Sequence, residues 1–520
     1  MGSIRLQEIK RKKINPGVGG PESEVLIARW RSHFLPKALD RDGGDMQGAG
    51  QGAFGLAFDY GVDILAFMSF DMVFSDCDVL VRENGQHTVL DHRDIAISAN
   101  CIAAIEPHGI IPQANAREVV DAAGMLAIPG LINCHAHVPM VLFRSLAEDV
   151  SIESWFNDYI WPLESNEEPE DIYWGALLGI AEMIQSGVTT FADHYFFCDE
   201  IARAVQEAGA RANIGWAVFG HEGIAKLDTT CDFVRRWQAG AGGRITTWLA
   251  PHSPYLCDHD FLKATAERAR ELNVGIHIHC SETHDQVRQS LHLHGLTPPQ
   301  VLERAGVLEV PVILAHGIGI TDADIGMLSH YDVALAQCPK TYLKLAMGSA
   351  PVLAFRKAGL KVGLGTDGAV SSNTLDILEQ MRILALDQKQ HAGDSTVMPV
   401  QDVLDIAFRG GAATLRLADA GELAVGRLAD IALLRQDGAH LFPRHDVLAS
   451  LVYSSRAGDV DTVMCDGKLL MRGRQLLTID LAGIKRAITE RLQRLSQRVT
   501  EKRLATYPTT PMSSPAPVTR

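Results

Sequence analysis

Short runs in which apolar and polar residues alternate open the legible part of the chain. Cys77–Val81, Asp94–Ile97 and Cys101–Ile105 each read as strands, separated by turn residues such as Glu83-Asn84-Gly85. The pattern returns at Asp430–Leu434 and Thr462–Cys465, the second followed by Asp466-Gly467. Two β-rich pieces flanking a long middle predict a small β-sandwich built from both ends of the chain. In that middle, apolar runs alternate with helical stretches. The predicted strands are Leu126–Asn133, Thr189–Asp193, Asn213–Val218, Ile245–Ala250, Gly275–His279, Val312–His316, Val333–Gln337 and Val362–Thr366. Amphipathic segments such as Trp174–Gln185, Phe261–Leu272 and Thr374–Leu386 fall between them. Repeated strand-then-helix order requires a parallel sheet, and eight repeats favour a closed (β/α)8 TIM barrel, giving an α/β fold. After Asp480, Leu481, Ile484, Ile488, Leu492, Leu495 and Val499 recur at helical spacing, and a Pro/Ser/Thr tail from Tyr507 reads as disordered.

The expected organisation is therefore a poorly ordered extension over 1–71, sandwich strands over 72–124, the barrel over 125–419, returning sandwich strands over 420–478, and a helix with its tail over 479–520. The extension rests on a basic cluster, Lys10–Lys13, and a glycine-rich stretch, Gly43–Gly55, that suits neither helix nor strand. A start at Met72 is the alternative reading of that segment.

Composition narrows the function classes. Among 520 residues, 48 Lys+Arg against 63 Asp+Glu leave a formal charge of -15, with no basic stripe to neutralise phosphates. Nucleic acid and anionic membrane surfaces are thereby disfavoured as partners. The most apolar N-terminal stretch, Gly52–Phe70, carries Asp59 and Asp63, each costing about 2.5–3.5 kcal/mol near mid-bilayer. Met1–Lys13 is polar and basic with no apolar segment directly behind it, unlike a secretory signal. Nine cysteines without paired spacing read as reduced thiols in a cytoplasmic protein.

Polar residues crowd the C-terminal ends of the predicted strands, which in a barrel share one face. His135 and His137 end the first, Asp193-His194 the second, His252 follows the fourth, and His279 with Glu282 the fifth; His316 ends the sixth and Asp367 follows the eighth. Three His-x-His pairs occur, at 135/137, 277/279 and 292/294. Residues i and i+2 of a strand point the same way, so the first two pairs can face inward, whereas His292 and His294 lie in a polar stretch and read as solvated. Three imidazoles, His135, His137 and His279, with the Asp367 carboxylate suit one borderline divalent cation, Zn2+ or alternatively Fe2+, with a position left for water. Glu282 stands where a carboxyl could carry protons to a ring nitrogen and a departing amine, and His316 could polarise the nucleophile.

Over about Val73–Leu477 the chain resembles the amidohydrolase superfamily, in the branch of methylthioadenosine/S-adenosylhomocysteine (adenosine-type) deaminases and s-triazine hydrolases. The resemblance rests on Pro129–His137, Gly187–Asp193, Pro251–Tyr255, His279-Cys-Ser-Glu282, Ala315-His-Gly317, Leu364–Gly368, and Gly421–Gly426 with Ala429-Asp430. It implies a metal-dependent barrel in which a metal-bound hydroxide attacks a ring carbon and releases ammonia. It further implies Glu282 as proton shuttle, His316 in contact with water or substrate, Asp367 as metal ligand and proton acceptor, His252 as a substrate contact, and Glu164 of Trp161-Pro-Leu-Glu164 as ligand of the ribose hydroxyls. Relatives of this kind are often homodimers.

Departures bear on substrate. Trp216, and more loosely Lys226, occupy positions where S-adenosylhomocysteine deaminases can carry arginines for a carboxylate tail; an indole cannot replace a bidentate cation. Gln337–Tyr342 also departs from its relatives, with Thr341 and Tyr342 expected to reshape the pocket rim. The expected activity is hydrolytic deamination of an adenosine-like heterocycle, with release of chloride or alkylamine from a triazine, or a non-catalytic scaffold, as alternatives.

Overall fold

The computed structural model describes Leu65, residues 68–497 and residues 504–507. The expectations for most of the N-terminal extension, for Val499 and for the chain beyond 507 lie outside the described residues. The described chain falls into two compact units.

The smaller unit holds the described residues up to Cys77, with His92–Ala123 and Ala424–Arg427. Its strands come from β1 (Phe70–Glu83), β2 (Gln86–Ser98), β3 (Cys101–Pro107) and β4 (Ala116–Asp121). The first half of β1 runs parallel to β4, and the second half of β2 pairs antiparallel with β3. Phe70, Val73, Ala96, Ala103, Ala104 and Ile111 form its core.

The larger unit takes the second half of β1 and the first half of β2 (Asp78–Asp91), followed by β5 (Met125–Pro129), β6 (Leu131–His137), β7 (Val188–Tyr195), β8 (Arg211–Val218), β9 (Ile245–Pro251), β10 (Ile276–Cys280), β11 (Val312–His316), β12 (Val333–Gln337), β13 (Lys361–Leu364) and β14 (Asp367–Gly368). From β6 to β13 each strand pairs in parallel with the next, in chain order. The sheet closes through an interrupted last stave: β13 pairs with β12, while β14, two residues on, pairs with β6 at Asp367↔Ala136. At the interruption Gly365 N donates to the Gln337 carbonyl (2.8 Å) and Thr366 N to the His135 carbonyl (3.1 Å). Gly365 is required there because a Cβ would lie 2.8 Å from the His135 carbonyl oxygen.

The predicted strand Leu126–Asn133 is in fact two strands in two sheets. The chain corners at Gly130, whose N–H donates to the Asp430 carbonyl (2.8 Å), while Leu131 N already donates to Gly187 (2.9 Å). A Cβ at Gly130 would sit 2.2 Å from Thr189 Oγ1. Both halves are apolar because both are buried, so hydrophobic pattern alone could not separate them.

The returning strands are β15 (Ile431–Arg435), β16 (Val460–Cys465), β17 (Lys468–Arg472) and β18 (Gln475–Leu476). They form a second sheet in the order β18-β17-β16-β15-β5, which continues to β1 at Asp78↔Leu126. The late strands thus do meet the early ones, β15 lying antiparallel to β5.

Helices pack outside the barrel for local reasons. His259–Leu272 starts where Asp258 accepts from Phe261 N (2.9 Å) and stops at Asn273, in the left-handed region at φ 52°. Phe261, Leu262, Thr265, Ala266 and Ala269 recur at three- and four-residue spacing and are its buried face. The expected C-terminal helix is two pieces, Leu481–Thr489 and Leu492–Leu495, with Ile484, Ile488 and Leu495 buried. Arg494 binds both oxygens of the buried Asp171 carboxylate (2.7 Å each), fixing this end of the chain to helix Pro169–Gln185. Among the described residues no helix is long and apolar enough to cross a membrane.

Candidate metal centre and active site

The strand ends deliver the side chains. His135 and His137 lie two apart on β6, His279 is the penultimate residue of β10, His316 ends β11 and Asp367 opens β14. Two of them sit on unusual backbone: His316 at φ 74° and Asp367 at φ 62° occupy the left-handed region. That conformation costs a non-glycine residue about 1–3 kcal/mol and persists only where its surroundings impose it. Asn133 imposes part of it, accepting from Thr366 N (3.0 Å) and donating to Thr366 Oγ1 (2.7 Å), which anchors the residue before Asp367.

Hydrogen bonds fix the imidazole tautomers. His137 Nδ1 lies 2.6 Å from the His194 carbonyl oxygen, and His279 Nδ1 lies 2.8 Å from that of His252. A carbonyl only accepts, so each Nδ1 carries a proton and, in the neutral ring, each Nε2 presents a lone pair. These two Nε2 atoms lie 3.4 Å apart. His135 Nδ1 faces His277 Nε2 at 2.9 Å, and its own Nε2 is buried without a partner. Asp367 Oδ1 stands 3.2 Å from His137 Nε2 and 3.8 Å from His135 Nε2.

Ligand atoms of His135, His137 and Asp367 lie within 4.8 Å of one another; His279 meets His135 and His316 in a second such trio, and His137 and His194 in a third. Converging lone pairs beside a carboxylate repel unless positive charge lies among them. The donor set of imidazole nitrogens and one carboxylate oxygen therefore fits a borderline divalent cation.

Protonation tendencies point the same way for His135 and His279, whereas the Asp367 carboxylate draws a proton onto His137, which a bound cation would displace. Burial, then the neighbouring imidazoles, hold His135 and His279 well below the usual histidine range. Burial also pulls on His137, but Asp367 and the His194 carbonyl outweigh it and raise this group to about 9. Asp367, despite burial, is held at about 2, chiefly by His137.

Glu282 and His316 face the cluster, with His316 Nε2 3.9 Å from Glu282 Oε1. The other oxygen, Oε2, accepts from Gln286 Nε2 (3.0 Å) and Tyr255 OH (3.3 Å). Oε1 is thereby left toward the cavity. This cavity, about 40 Å3, is lined by the polar cluster on one side and by Trp155, Phe156 and Trp161 on the other. It shares Glu164 and Phe196 with a larger cavity of about 340 Å3 whose wall includes Trp216, Phe219, Lys226 and Leu504.

The predicted recognition residues fall into this geometry as follows. Glu164 is buried on the boundary of the two cavities, and its Oε1 has no hydrogen-bond partner. Burial raises its carboxyl to about 7. Its neighbour Glu167 receives the Tyr195 hydroxyl (3.0 and 3.1 Å). His252 stacks on Phe219 (5.0 Å between ring centres) and is held neutral, at about 3, by burial. Trp216 lines the larger cavity, with Lys226 Nζ 5.0 Å above its ring. Thr341 and Tyr342 are not on the rim: Thr341 hydrogen-bonds Ser371 and Tyr342 accepts from Cys338 N, one layer behind the lining. His292 and His294 are exposed, on helix His284–His294.

Several contributors escaped sequence reading. His277 was visible as the other half of a His-x-His pair, yet its contact with His135 could not be foreseen. Asp193 was legible as a polar strand end, but not its contact: it accepts from Val138 N (2.9 Å), shaping the turn after β6. Gln286 and Asn133 gave no signal, since a lone amide side chain acquires a role only through what it faces.

The amidohydrolase family model matches residues 126–470. The chain is similar to a 5-methylthioadenosine/S-adenosylhomocysteine deaminase of Pelotomaculum thermopropionicum, with 42% identity over 431 residues covering 82% of this chain and 99% of the relative. Among solved structures it resembles an adenosine deaminase of Xanthomonas campestris with bound zinc (TM-score 0.78, 28% identity, covering 82% of this chain and 99% of that one). It shares its fold with an atrazine chlorohydrolase of Arthrobacter aurescens (TM-score 0.74, 24% identity, covering 81% and 100%). The chain belongs to the amidohydrolase family.

Proposed function

We propose that this protein is a zinc-dependent hydrolytic deaminase of adenosine-type nucleosides. The carrying observation is the convergence of the Nε2 atoms of His135 and His137 beside the Asp367 carboxylate, with His279 Nε2 3.4 Å from that of His137. His135, His137, His279 and Asp367 would hold the cation; Fe2+ fits the same donors. When bound, such a cation makes a water molecule acidic enough to serve as nucleophile near neutral pH.

The remaining chemistry belongs to the side chains. Hydrolysis forms a C–O bond at the ring carbon and breaks its C–N bond, so protons must reach first the adjacent ring nitrogen and then the departing amine. Glu282 Oε1, turned to the cavity while Oε2 is held by Gln286 and Tyr255, is placed to carry them. His316, 3.9 Å away, can orient water or stabilise the tetrahedral centre. The Trp155, Phe156 and Trp161 wall offers aromatic faces for a heterocycle and excludes solvent.

Glu164 supports a nucleoside over a triazine. Its buried, unpartnered Oε1 is an acceptor suited to a ribose hydroxyl, for which a chlorinated ring has no counterpart. Among the described residues the larger cavity has no arginine in its wall, and Lys226 lies over Trp216. This favours an apolar 5′ substituent such as a methylthio group over an amino-acid tail. All nine cysteines are free thiols, in keeping with a cytoplasmic enzyme; the reading carries with it a homodimer and no nucleic-acid partner. Ammonia release from a panel of adenosine, 5′-methylthioadenosine, S-adenosylhomocysteine, guanine and triazines tests it. Turnover confined to guanine or triazines would overturn the nucleoside assignment.

A further inference from the structure

The chain's C-terminal segment reaches the active site. Leu504 lines the larger cavity, and Tyr507, three residues on, is buried behind Phe156, which lines the smaller one. Asn157 clamps the Tyr507 backbone in both directions: its Oδ1 accepts from Tyr507 N (2.8 Å) and its Nδ2 donates to the Tyr507 carbonyl (3.3 Å). The Tyr507 ring stacks nearly parallel on Phe156, with centres 5.0 Å apart and planes at 9°, and meets Tyr255 at 5.8 Å. Phe156 is itself a wall of the catalytic cavity.

The Tyr507 hydroxyl closes a network that ends on Glu282. Gln286 Nε2 has two N–H donors; one reaches Glu282 Oε2 (3.0 Å) and the other points to Tyr507 OH (3.4 Å). Gln286 Oε1 accepts from Glu282 N (2.9 Å), so this one amide grips both the backbone and the carboxylate of Glu282. Thr283 Oγ1 lies 3.5 Å from the same hydroxyl. With Tyr507 in place every group on the Gln286 side chain is engaged, which fixes the amide's orientation and hence which Glu282 oxygen stays free.

We infer that Tyr507 is a positioning residue for the deamination: the C-terminal segment completes the pocket wall through Phe156 and, through Gln286, holds Glu282 with Oε1 directed at the reacting centre. The inference rests on the proposed deaminase reading. Burial, and next the Glu282 charge, push the Tyr507 phenol up to about 12, so it remains a neutral hydroxyl throughout the working range.

Two variants separate its contributions. Tyr507→Phe keeps the ring stack and removes the hydroxyl; it is expected to lower kcat about three- to tenfold, the worth of one hydrogen bond, with KM and metal content unchanged. Tyr507→Ala removes the ring as well and is expected to raise KM in addition and weaken binding of purine riboside, which has no amine to lose. Hydrogen exchange on the metal-loaded enzyme supplies a readout independent of turnover. In Tyr507→Ala, amide protection should fall in 152–164 and 282–290 and stay unchanged in the barrel strands. Wild-type kcat, KM, purine riboside affinity and exchange in both variants would overturn the inference while leaving the deaminase reading intact. A wild-type enzyme silent on every nucleoside would overturn that reading and with it Tyr507's part in deamination, while exchange would still decide whether Tyr507 holds the Glu282 loop. A uniform loss of protection across the chain would assign Tyr507→Ala to general destabilisation and refute a positioning role for the ring.

Discussion

Replacing Glu282 by Gln isolates the proton-transfer role with little structural cost. The two side chains have the same shape, and the amide oxygen can still accept from Gln286 Nε2 and Tyr255 OH, as Oε2 does at 3.0 and 3.3 Å. The amide nitrogen is then directed to where Oε1 stands, 3.9 Å from His316. What is lost in the fold is the charge assistance on two hydrogen bonds, about 1–2 kcal/mol, offset in part because a buried charge is removed. For a chain of this size that corresponds to a Tm change of a few degrees at most. The reaction loses far more, since an amide neither takes nor gives a proton near neutral pH. General acid–base catalysis contributes about 10²–10⁴-fold, so kcat should fall by that factor, equivalent to about 2.7–5.5 kcal/mol of barrier. Ammonia release measured with saturating 5′-methylthioadenosine gives the rate, and elemental analysis of the same sample gives the metal. Metal content should equal that of the wild type, because Glu282 is in none of the trios that bracket the cation site. A Glu282→Gln enzyme turning over within tenfold of wild type would refute the shuttle assignment; one that had lost its metal would move Glu282 into the ligand set.

Asp367→Ala should lower metal content and turnover together, and chelation of the wild-type enzyme should lower its Tm; unchanged metal in the variant removes Asp367 from the ligands. Arg211→Ala should destabilise by about 3–5 kcal/mol, because Arg211, itself buried, is bound to Asp430 (3.2 and 3.4 Å) and Asp466 (3.2 Å) and its loss leaves Asp430 buried without its cation. Denaturant melts that coincide with wild type would show the pair to be dispensable. In the smaller unit, the Asp94 hydrogen bond raises the exposed His108, while Asp94, against the effect of burial, is lowered chiefly by His108. The His108 part of this stability is complete below pH 6.5 and fades as pH rises through its elevated folded value; the Asp94 part is complete above about pH 4 and fades as pH falls through its depressed one. His108→Gln should therefore cost stability between those limits and approach wild type above them, which thermal melts at pH 5.5 and 9 can check.

The sequence by itself determined the strand–helix alternation, because a strand buried on both faces must be continuously apolar and its crossover helix must be amphipathic. Val312–His316 and Val333–Gln337 match their strands end to end for this reason. It also determined the chemistry, since few residue types bind a borderline cation or move protons at neutral pH, and strand ends in a barrel share a face. Tertiary structure decided the rest. Gly130 divides an unbroken apolar run between two sheets, a consequence of who receives its N–H and of Thr189 standing where a side chain would be. His277 orients His135, and Gln286 orients Glu282, by contacts that no spacing encodes. Tyr507, which composition assigned to a disordered tail, is buried because Asn157, some 350 residues earlier, offers its backbone both a donor and an acceptor. Local pattern reports what a residue can be, whereas partners brought from distant parts of the chain settle what it does.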